Sequence, residues 1–170
     1  MLIGLTGKKQ AGKDTVADIL VQEYGFLRVA FADLLKQMLE DQNPLVGPDI
    51  RLGDLLSWYD GDWDHVKQYP EVRRLLQYTG TAVRMIDPEF WINNLEIPDG
   101  NVVVSDVRLH TEARRIEDLG GQVFRVTRPG TGGDPHHTET ELDGIDFPVL
   151  ANDGSLQDLK ELVERDVVKR

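Results

Sequence analysis

The sequence predicts an α/β fold with a parallel sheet of about five strands between two layers of helices. Short apolar runs alternate with amphipathic stretches of helical length, which is the pattern of consecutive β-α units. Asn101 to Ser105 is a nearly continuous apolar run, typical of a strand that a parallel sheet buries on both faces. A glycine-rich turn follows the first apolar run and precedes the first helix. At 170 residues the chain is most simply one domain, residues 1–170.

The first half of the chain contains the clearest β-α unit and then a longer helical region. Gly25 is a stop signal for the first helix. Residues 41–69 are rich in Pro, Gly, Asp and Trp, so we predict an irregular insertion there. The predicted elements are strand Leu2–Thr6, helix Gly12–Tyr24, strand Phe26–Phe31, helix Asp33–Glu40, a short helix near Leu52–Tyr59, helix Glu71–Arg84 after Pro70, and a short helix starting at Asp87-Pro88.

The second half returns to alternating strands and helices. Gly120 and Gly121 end one predicted helix, and Ser155 with Asp158 predicts the N-terminal cap of another. The predicted elements are strand Asn101–Ser105, helix Thr111–Leu119, strand Gln122–Thr127, a polar flexible segment from Pro129 to Glu141, strand Phe147–Ala151 and a final helix after Ser155.

Composition limits the classes of partner. The chain has no cysteine, which excludes disulfides and thiolate metal sites. Its net charge of −11 argues against broad binding to nucleic-acid polymers or anionic membranes. No apolar run reaches membrane-spanning length, and the first strand begins without a leader, so we expect a cytoplasmic protein. The basic residues that could bind anions are concentrated locally: Lys8, Lys9, Lys13, Arg73, Arg74, Arg108, Arg125 and Arg128.

The turn after the first strand has the spacing G-x4-G-K, from Gly7 through Gly12 to Lys13. Glycines at these positions let backbone N–H groups, including those of Lys8 and Ala11, surround phosphate oxygens. The helix that follows directs its positive end at the same anion, and Lys13 adds a mobile charge for the β- and γ-phosphates. The motif therefore predicts binding of a nucleoside triphosphate.

Asp14 departs from the usual form of this motif, in which Ser or Thr follows the lysine and binds Mg²⁺. A carboxylate beside a triphosphate is repulsive unless a cation or a donor-rich substrate lies between them. Asp14 is then a metal ligand or a group that faces the second substrate, and Thr15 supplies the hydroxyl. The alternative is that Asp14 only complements the dipole of the first helix.

The helix predicted over 71–84 has an unusual polar face. Arg73, Gln77, Gly80 and Arg84 recur at steps of four, three and four, so they share one side of the helix. A solvated surface explains such a stripe equally well. However, glycine inside a helix costs about 1 kcal/mol, which suggests close approach of another group at Gly80. A phosphate or a base edge is our candidate.

Two further segments carry candidate residues. Ser105-Asp106-Val107-Arg108 ends a predicted buried strand, where parallel sheets bind ligands. Asp106 then organises Mg²⁺ or accepts a substrate hydrogen bond, unless it is a simple cap. Arg108 and Glu112 are one helical turn apart and could pair.

His136 and His137 do not predict a zinc site, because adjacent residues chelate one ion poorly. A mobile lid that brings Arg128 and His137 to the phosphates fits phosphoryl transfer better.

A GTPase-type switch is the rival interpretation among nucleotide binders. Asp118 to Gly121 matches D-x-x-G, but it lies at the end of a helix instead of after a strand. The chain also has no N-K-x-D motif for reading a guanine base. The switch interpretation is therefore weakly supported.

The order of these motifs resembles the deoxynucleoside monophosphate kinase family best known from tailed bacteriophages. The loop form with Asp14 alone is less specific, because some phosphomevalonate kinases share it. The matching stretches span most of the chain, with little contribution from residues 41–69. They are Gly12–Thr15, Arg73–Thr81, Asp87–Trp91, Val104–Arg108 with Glu112, and Arg128-Pro129 followed by His137–Thr140, in which Thr138 replaces Ser.

The resemblance implies a P-loop kinase fold with a helical acceptor-binding region at about 33–95 and a lid at about 128–141. It implies transfer of the ATP γ-phosphoryl group, with Mg²⁺, to a deoxynucleoside 5′-monophosphate. The implied catalytic residues are Lys13, Asp14, Asp106 and Arg128. The implied ATP-binding residues are Gly7, Lys8, Ala11, Gly12, Lys13, Asp14, Thr15 and Asn152, the last near the adenine, with Asp14 and Thr15 at the metal. The implied acceptor-binding residues are Arg73, Arg74, Gln77, Gly80, Thr81, Trp91 stacking near the base, Asp106, Arg108 and Glu112.

Other functions remain open on the sequence alone. A P-loop kinase for another phosphorylated acceptor, such as phosphomevalonate or dephospho-coenzyme A, shares the loop and the sheet. A nucleotide-binding module without transfer activity is the alternative from another class. The expected partners are small-molecule nucleotides, with no nucleic-acid polymer and no membrane, and a homodimer is left open. If the protein is phage-encoded, its expected compartment is the host cytoplasm.

Overall fold

The computed structural model describes residues 1–131 and 141–169, which divide into two compact units. The sheet unit comprises Met1–Ala30 and the described residues from Glu96 onward. The helical unit is Phe31–Leu95, nearly the range of 33–95 that the sequence predicts to be helical. Its predicted role in acceptor binding stays a prediction.

The sheet unit is built on one parallel sheet of five strands, in the order β2-β5-β1-β6-β7. Strand β1 lies at its centre, so the turn that follows β1 emerges at the middle of the carboxyl edge. The predicted bounds of β1 and β6 are confirmed, and the other strands are shorter than predicted. The strands are β1 (Leu2–Thr6), β2 (Leu27–Val29), β5 (Val102–Val104), β6 (Gln122–Thr127) and β7 (Val149–Ala151).

Helices cover both faces of this sheet, as the sequence predicts. Alternate residues of β1 point to opposite faces. Ile3 and Leu5 pack in a core with residues of α1 (Lys13–Tyr24) and α8 (Leu156–Val163). Gly4 faces Ile116 of α7 (His110–Asp118), where a Cβ atom on Gly4 would lie 2.7 Å from Ile116 Cδ1. Three layers result, and the absence of a Cβ atom on Gly4 allows close packing of α7 on the sheet.

Local signals in the sequence correctly predict two helix ends. Gly25 adopts φ 68° at the end of α1, and the N–H groups of Gly25 and Phe26 donate to carbonyls of the last turn. Phe26 therefore completes the cap and is buried, instead of starting β2 as predicted. Ser155 caps α8: its Oγ accepts from the N–H of Asp158 at 3.2 Å, and Asp158 Oδ2 accepts from the N–H of Ser155 at 2.7 Å. A π-helical turn, Glu164–Val168, follows α8.

The helical unit contains more regular structure than the sequence predicts. In the segment 41–69, the helix Leu52–Trp58 confirms the short helix predicted near Leu52–Tyr59. An antiparallel hairpin (Leu45–Gly47 with Ile50–Arg51) and a second short helix (Trp63–Val66) were not predicted, because neither has the length needed for a periodic signal. A separate core of buried side chains, including Leu39, Leu52, Leu55 and Val72, holds the unit together. Its elements are α2 (Phe31–Gln42), β3 (Leu45–Gly47), β4 (Ile50–Arg51), α3 (Leu52–Trp58), α4 (Trp63–Val66), α5 (Pro70–Ile86) and α6 (Phe90–Asn93).

The start of α6 corrects the sequence prediction. We predicted a helix from Asp87-Pro88, but α6 begins at Phe90. The Asp87 carboxylate accepts the N–H of Glu89 at 3.0 Å and so forms a turn before the helix. Of the helices in the described residues, none has the length and apolar character needed to span a lipid bilayer.

Candidate functional site

The turn from Gly7 to Lys13, here called the phosphate loop, connects the centre of the sheet to α1. Gly7 has φ 139°, and a Cβ atom there would lie 2.2 Å from the carbonyl oxygen of Val126. Gly12 has φ 101° and starts α1 without a side-chain cap. These positions require glycine for conformation and for space. The uncapped start of α1 leaves its first turn available to an anion.

Lys13 folds back over the phosphate loop. Its Nζ atom donates to the carbonyl oxygens of Gly7 at 2.7 Å and of Lys8 at 3.0 Å. These carbonyls hold the ammonium group beside the loop that the sequence predicts to bind phosphate. A phosphate anion bound to the loop would therefore lie close to this ammonium group. This favours the predicted role of Lys13 in binding the phosphoryl donor.

Asn152 supports the phosphate loop from the end of β7. Its Nδ2 atom donates to the carbonyl oxygen of Ala11 at 3.0 Å, and its own N–H donates to Thr127 at 2.7 Å. A Cβ atom on Gly12 would lie 2.3 Å from the same Nδ2 atom. The structure thus gives Asn152 a contact with the loop that the sequence did not predict. Its predicted contact with adenine stays a prediction.

Asp14 lies in the first turn of α1 and forms an ion pair with Arg28 of β2. The Asp14 side chain is nevertheless 75% exposed, so most of the carboxylate surface faces solvent. Arg28 also donates to Asp18 Oδ1 at 3.2 Å and to Ser105 Oγ at 3.0 Å. The sequence analysis missed Arg28, because it lies on a short edge strand with no motif around it. Thr15 is half-buried in the same turn.

The segment after β5 lies next to the end of β1. The N–H of Val107 donates to Leu5 at 3.1 Å, so the chain from Ser105 to Arg108 runs beside the phosphate loop at the carboxyl edge. Asp106 is half-buried there and Arg108 is exposed. Adjacent strand ends therefore bring Asp106 and Arg108 to the same edge as Lys13, as the sequence predicts.

Glu112 has a structural contact that differs from the predicted pairing with the Arg108 side chain. Its Oε2 atom accepts the backbone N–H groups of Arg108 at 2.7 Å and Leu109 at 3.0 Å. Only 5% of Glu112 is exposed. The carboxylate therefore fixes the backbone at the start of α7 and orients the segment that carries Arg108. Direct contact of Glu112 with an acceptor stays a prediction.

A small pocket between the phosphate loop and the segment after β5 is lined by basic side chains. Lys8 Nζ contacts both carboxylate oxygens of Asp143 at 2.7 Å. Arg125 donates to the carbonyls of Leu142 at 2.6 Å and Ile145 at 2.9 Å, which holds its guanidinium at the pocket. Sequence analysis noted Arg125 only as a basic residue and missed Asp143. The lining residues are Thr6, Gly7, Lys8, Val107, Arg108, Arg125, Leu142 and Asp143.

In the helical unit, the predicted polar face of α5 is present, and several of its side chains are exposed. Arg74 forms two hydrogen bonds with Glu71, at 2.8 and 2.7 Å, and these lower the pKa of the Glu71 carboxyl below its usual value. Arg73, Gln77 and Thr81 are exposed. The acceptor roles of these residues stay predictions.

Gly80 and Trp91 contact each other and the core of the helical unit. Leu35 Cδ2 would lie 3.3 Å from a Cβ atom on Gly80, so the close approach inferred from this glycine is made by a leucine of α2. Trp91 Nε1 donates to the Gly80 carbonyl at 3.1 Å, and only 5% of Trp91 is exposed. This burial leaves little ring surface for a base, and stacking stays a prediction.

The predicted lid falls largely outside the described residues, and His136, His137, Thr138 and Glu139 lie there with it. Arg128 is described and exposed just after β6. Within residues 1–131 and 141–169, no group of three or more His, Asp or Glu side chains is placed to hold a metal ion. Mg²⁺ at nucleotide sites commonly uses one or two carboxylates together with substrate phosphates, and Asp14 and Asp106 fit that donor set.

Comparison with known proteins gives matches in sequence and structure. Residues 63–163 match the family model described as deoxynucleotide monophosphate kinase. A protein of Acanthamoeba polyphaga mimivirus, provisionally named a deoxynucleotide monophosphate kinase, is 33% identical over 165 residues, covering 85% of this chain and 83% of the relative. Among solved structures, the dephospho-CoA kinase from Campylobacter jejuni has TM-score 0.49 and 13% identity, covering 99% of this chain and 96% of that one. TT1252 from Thermus thermophilus has TM-score 0.43 and 22% identity, covering 99% and 97%.

Proposed function

This chain belongs to the deoxynucleotide monophosphate kinase family, and we propose that it transfers the γ-phosphoryl group of ATP to a deoxynucleoside 5′-monophosphate. It is an enzyme, a nucleotide kinase of the phosphotransferase class. The choice of ATP as donor, the use of Mg²⁺ and the roles of individual residues are parts of the proposal. The observation that supports them best is the arrangement of Lys13 and the phosphate loop at the carboxyl edge of the sheet.

Phosphoryl transfer needs little covalent help from the protein, so the site must align two substrates and neutralise charge. The proposed donor ligands are Lys13 and the backbone N–H groups of the phosphate loop. The contacts of Lys13 with the loop carbonyls hold its ammonium group beside the loop, within the region where the donor phosphates are proposed to bind. Gly7 and Gly12 allow the close backbone approach that this binding requires.

We propose that Mg²⁺ is held by Asp14 and Thr15, with Asp106 at the same edge. When bound, the ion neutralises charge on the β- and γ-phosphates. Asp14 fits this role because most of its carboxylate surface is open to solvent despite its ion pair. The alternative within the proposal is that Asp14 faces the acceptor phosphate, and the position of the carboxylate is compatible with either.

We propose Arg108 as an acceptor ligand of the sheet unit. It lines the basic pocket together with Lys8 and Arg125, and its backbone is fixed by the buried Glu112. A planar guanidinium can bind a phosphate through two parallel hydrogen bonds, which makes arginine well suited to this task. Arg128, beyond the end of β6, is the proposed lid cation. Of the residues predicted on α5, Arg73 is tested by substitution.

The proposed partners are small-molecule nucleotides, in agreement with the local concentration of basic residues in a chain of net charge −11. Because such nucleotides are cytoplasmic metabolites, we expect the protein in the cytoplasm. A homodimer stays a prediction to be tested by the mass of the protein in solution.

The proposed function is tested with a panel of acceptors. ADP release is measured with ATP and Mg²⁺ in the presence of each deoxynucleoside monophosphate, each ribonucleoside monophosphate, phosphomevalonate and dephospho-coenzyme A. We expect stimulation by one or more deoxynucleoside monophosphates and formation of the corresponding diphosphate. Turnover with phosphomevalonate or dephospho-coenzyme A alone would contradict the proposed acceptor class. ATP binding without turnover on any acceptor would contradict transfer activity in this chain.

A further inference from the structure

We infer that Arg28 is a positioning residue that fixes and partly neutralises the Asp14 carboxylate beside the donor phosphates. This inference rests on the proposed kinase function and identifies a residue that the sequence motif does not contain. Its basis is a hydrogen-bonded group in the sheet unit that joins the first helix, the edge strand and the end of the neighbouring strand.

The Asp14 carboxylate creates electrostatic repulsion at the proposed donor site. A carboxylate in the first turn of α1 lies where the triphosphate is expected to bind. Two unit charges 4 Å apart interact by about 1 kcal/mol in bulk water and by about 4 kcal/mol at an effective dielectric constant of 20. A cation close to the Asp14 carboxylate lowers this repulsion, and a basic side chain can supply it in addition to a metal ion.

Arg28 supplies that cation from a fixed position. It is the middle residue of β2, at the edge of the sheet, and its Nη2 atom donates to Asp14 Oδ1. The other two guanidinium nitrogens are also engaged, Nη1 with Asp18 at 3.2 Å and Nε with Ser105 Oγ at 3.0 Å. Ser105 is buried, so the guanidinium plane is anchored at its Nε side.

Three side-chain contacts, two with α1 and one with the end of β5, restrict the rotation of Arg28, and Arg28 in turn restricts Asp14. The Arg28–Asp14 ion pair is accessible to solvent, because 75% of the Asp14 side chain and 37% of the Arg28 side chain are exposed. An exposed ion pair of this kind contributes little to folding stability. Its expected contribution is to the orientation of the carboxylate, and misplacement of a reacting group by about 1 Å can cost about 10²-fold in rate.

The test compares Arg28→Ala, Arg28→Lys, Asp14→Asn, the double variant Arg28→Ala/Asp14→Asn, and Asp18→Asn as a matched control. Asp18 binds the same guanidinium but lies one turn further along α1. For each variant we would measure the melting temperature, kcat, KM for MgATP and the calorimetric Kd for ATP in excess EDTA. The EDTA measurement isolates the protein charges, since no metal ion can then neutralise Asp14.

We expect Arg28→Ala to lower kcat by about 10- to 100-fold while KM for MgATP changes by less than about threefold. Without metal, its Kd for ATP should rise by about fivefold, which corresponds to loss of one neutralised charge in water. In the Asp14→Asn background the Arg28→Ala change should affect neither quantity by more than about twofold. Arg28→Lys keeps the positive charge but lacks the planar guanidinium with its several N–H donors. Its kcat should therefore exceed that of Arg28→Ala by at least about threefold.

The opposite results would overturn the inference. A merely structural role predicts that Arg28→Ala and Asp18→Asn lower the melting temperature together and leave kcat unchanged. Additive effects of Arg28→Ala and Asp14→Asn would show that Arg28 acts through another group. Equal kcat values for Arg28→Lys and Arg28→Ala would exclude neutralisation of the Asp14 carboxylate by a positive charge at position 28. If Arg28→Ala does not fold, the kcat of Arg28→Lys and its Kd for ATP in excess EDTA decide whether Arg28 positions Asp14. Absence of turnover in the unsubstituted enzyme would contradict the kinase function itself, and only the metal-free binding would then test Arg28.

Discussion

The carboxylate of Asp143 holds the ammonium group of Lys8, a residue of the phosphate loop, with both oxygens at 2.7 Å. Arg125 approaches the same carboxylate, with its Nη1 atom 3.9 Å from Asp143 Oδ1. An acidic side chain thus lies among the basic groups of the pocket that also contains Arg108. Asp143 therefore keeps the side chains of Lys8 and Arg125 close together.

Removing that acidic charge should raise the affinity of the pocket for phosphate groups. We expect Asp143→Asn to lower Kd for nucleotide by about two- to fivefold at low ionic strength, with little effect at high salt. The free energy of unfolding should fall by less than about 1 kcal/mol, because the pair is exposed. Asp146→Asn, in the same segment but outside the pocket lining, is the control. Weaker binding by Asp143→Asn would mean that Asp143 takes part in nucleotide binding.

Lys13→Ala should abolish transfer and leave the fold intact. Lys13 contacts loop carbonyls instead of an apolar core, so its loss removes a transition-state cation at small structural cost. We expect kcat/KM to fall by at least about 10³-fold with a similar melting temperature. Lys160→Ala, which breaks an ion pair with Glu23, is the control. Near-normal turnover of a well-folded Lys13→Ala protein would contradict the donor-site assignment.

Arg108→Ala and Arg73→Ala should weaken binding of the monophosphate more than binding of ATP. Charge-assisted bonds from arginine to phosphate are strong, so the KM for the acceptor should rise by about tenfold or more. Steady-state kinetics with each substrate varied in turn gives both constants. Arg165→Ala, which removes a surface pair with Asp166, is the control. A rise in KM for ATP alone would show that the donor and acceptor assignments are reversed.

Asn152→Ala tests the bond that supports the phosphate loop. This variant removes the hydrogen bond from the Asn152 amide to the Ala11 carbonyl, so the conformation of the phosphate loop is less restricted. We expect kcat/KM for the nucleoside triphosphate to fall by about tenfold. Because the phosphate loop is proposed to bind the phosphates and not the base, the fractional loss should be equal for every triphosphate that the unsubstituted enzyme uses. A loss confined to ATP would instead support the adenine contact that the sequence resemblance implies.

Ser155→Ala should make stability less dependent on pH in acid. The Ser155 hydroxyl, followed by its backbone N–H, lowers the pKa of the Asp158 carboxyl below its ordinary value of 3.8. Because the pKa of Asp158 is lower in the folded state than in the unfolded state, its ionised carboxylate stabilises the folded state at pH values above 3.8. This stabilisation is lost as the pH falls through the folded-state pKa. Urea unfolding at pH 6 and pH 3.5 should therefore show a larger difference for the unsubstituted protein than for Ser155→Ala. An identical difference would exclude this contribution.

The phosphate loop could be predicted from sequence because its signals are local. Gly7, Gly12 and Lys13 lie within one turn of chain, and the spacing alone determines which groups meet. The same is true of Ser155 and Asp158 at the start of α8. Bounds of strands were less accurate, since Phe26 serves the end of α1 and not the sheet.

The remaining site contacts depend on tertiary packing and carry no local signal. Arg28 reaches Asp14 only because β2 lies beside β5 at the edge of the sheet. Asn152 meets Ala11 through a chain separation of 141 residues. Gly80 was assigned to substrate on helical spacing and Trp91 on the family resemblance, whereas their contact with each other could be seen only in the folded helical unit.

The helical unit is inserted between β2 and β5, which are direct neighbours in the parallel sheet. It therefore occupies the place of a single crossover helix in an ordinary β-α-β connection. The register of β2 against β5 is set by their own backbone bonds and not by the length of this connection. A change in the length of this connection would therefore leave the strand ends that carry Arg28 and Ser105 in register.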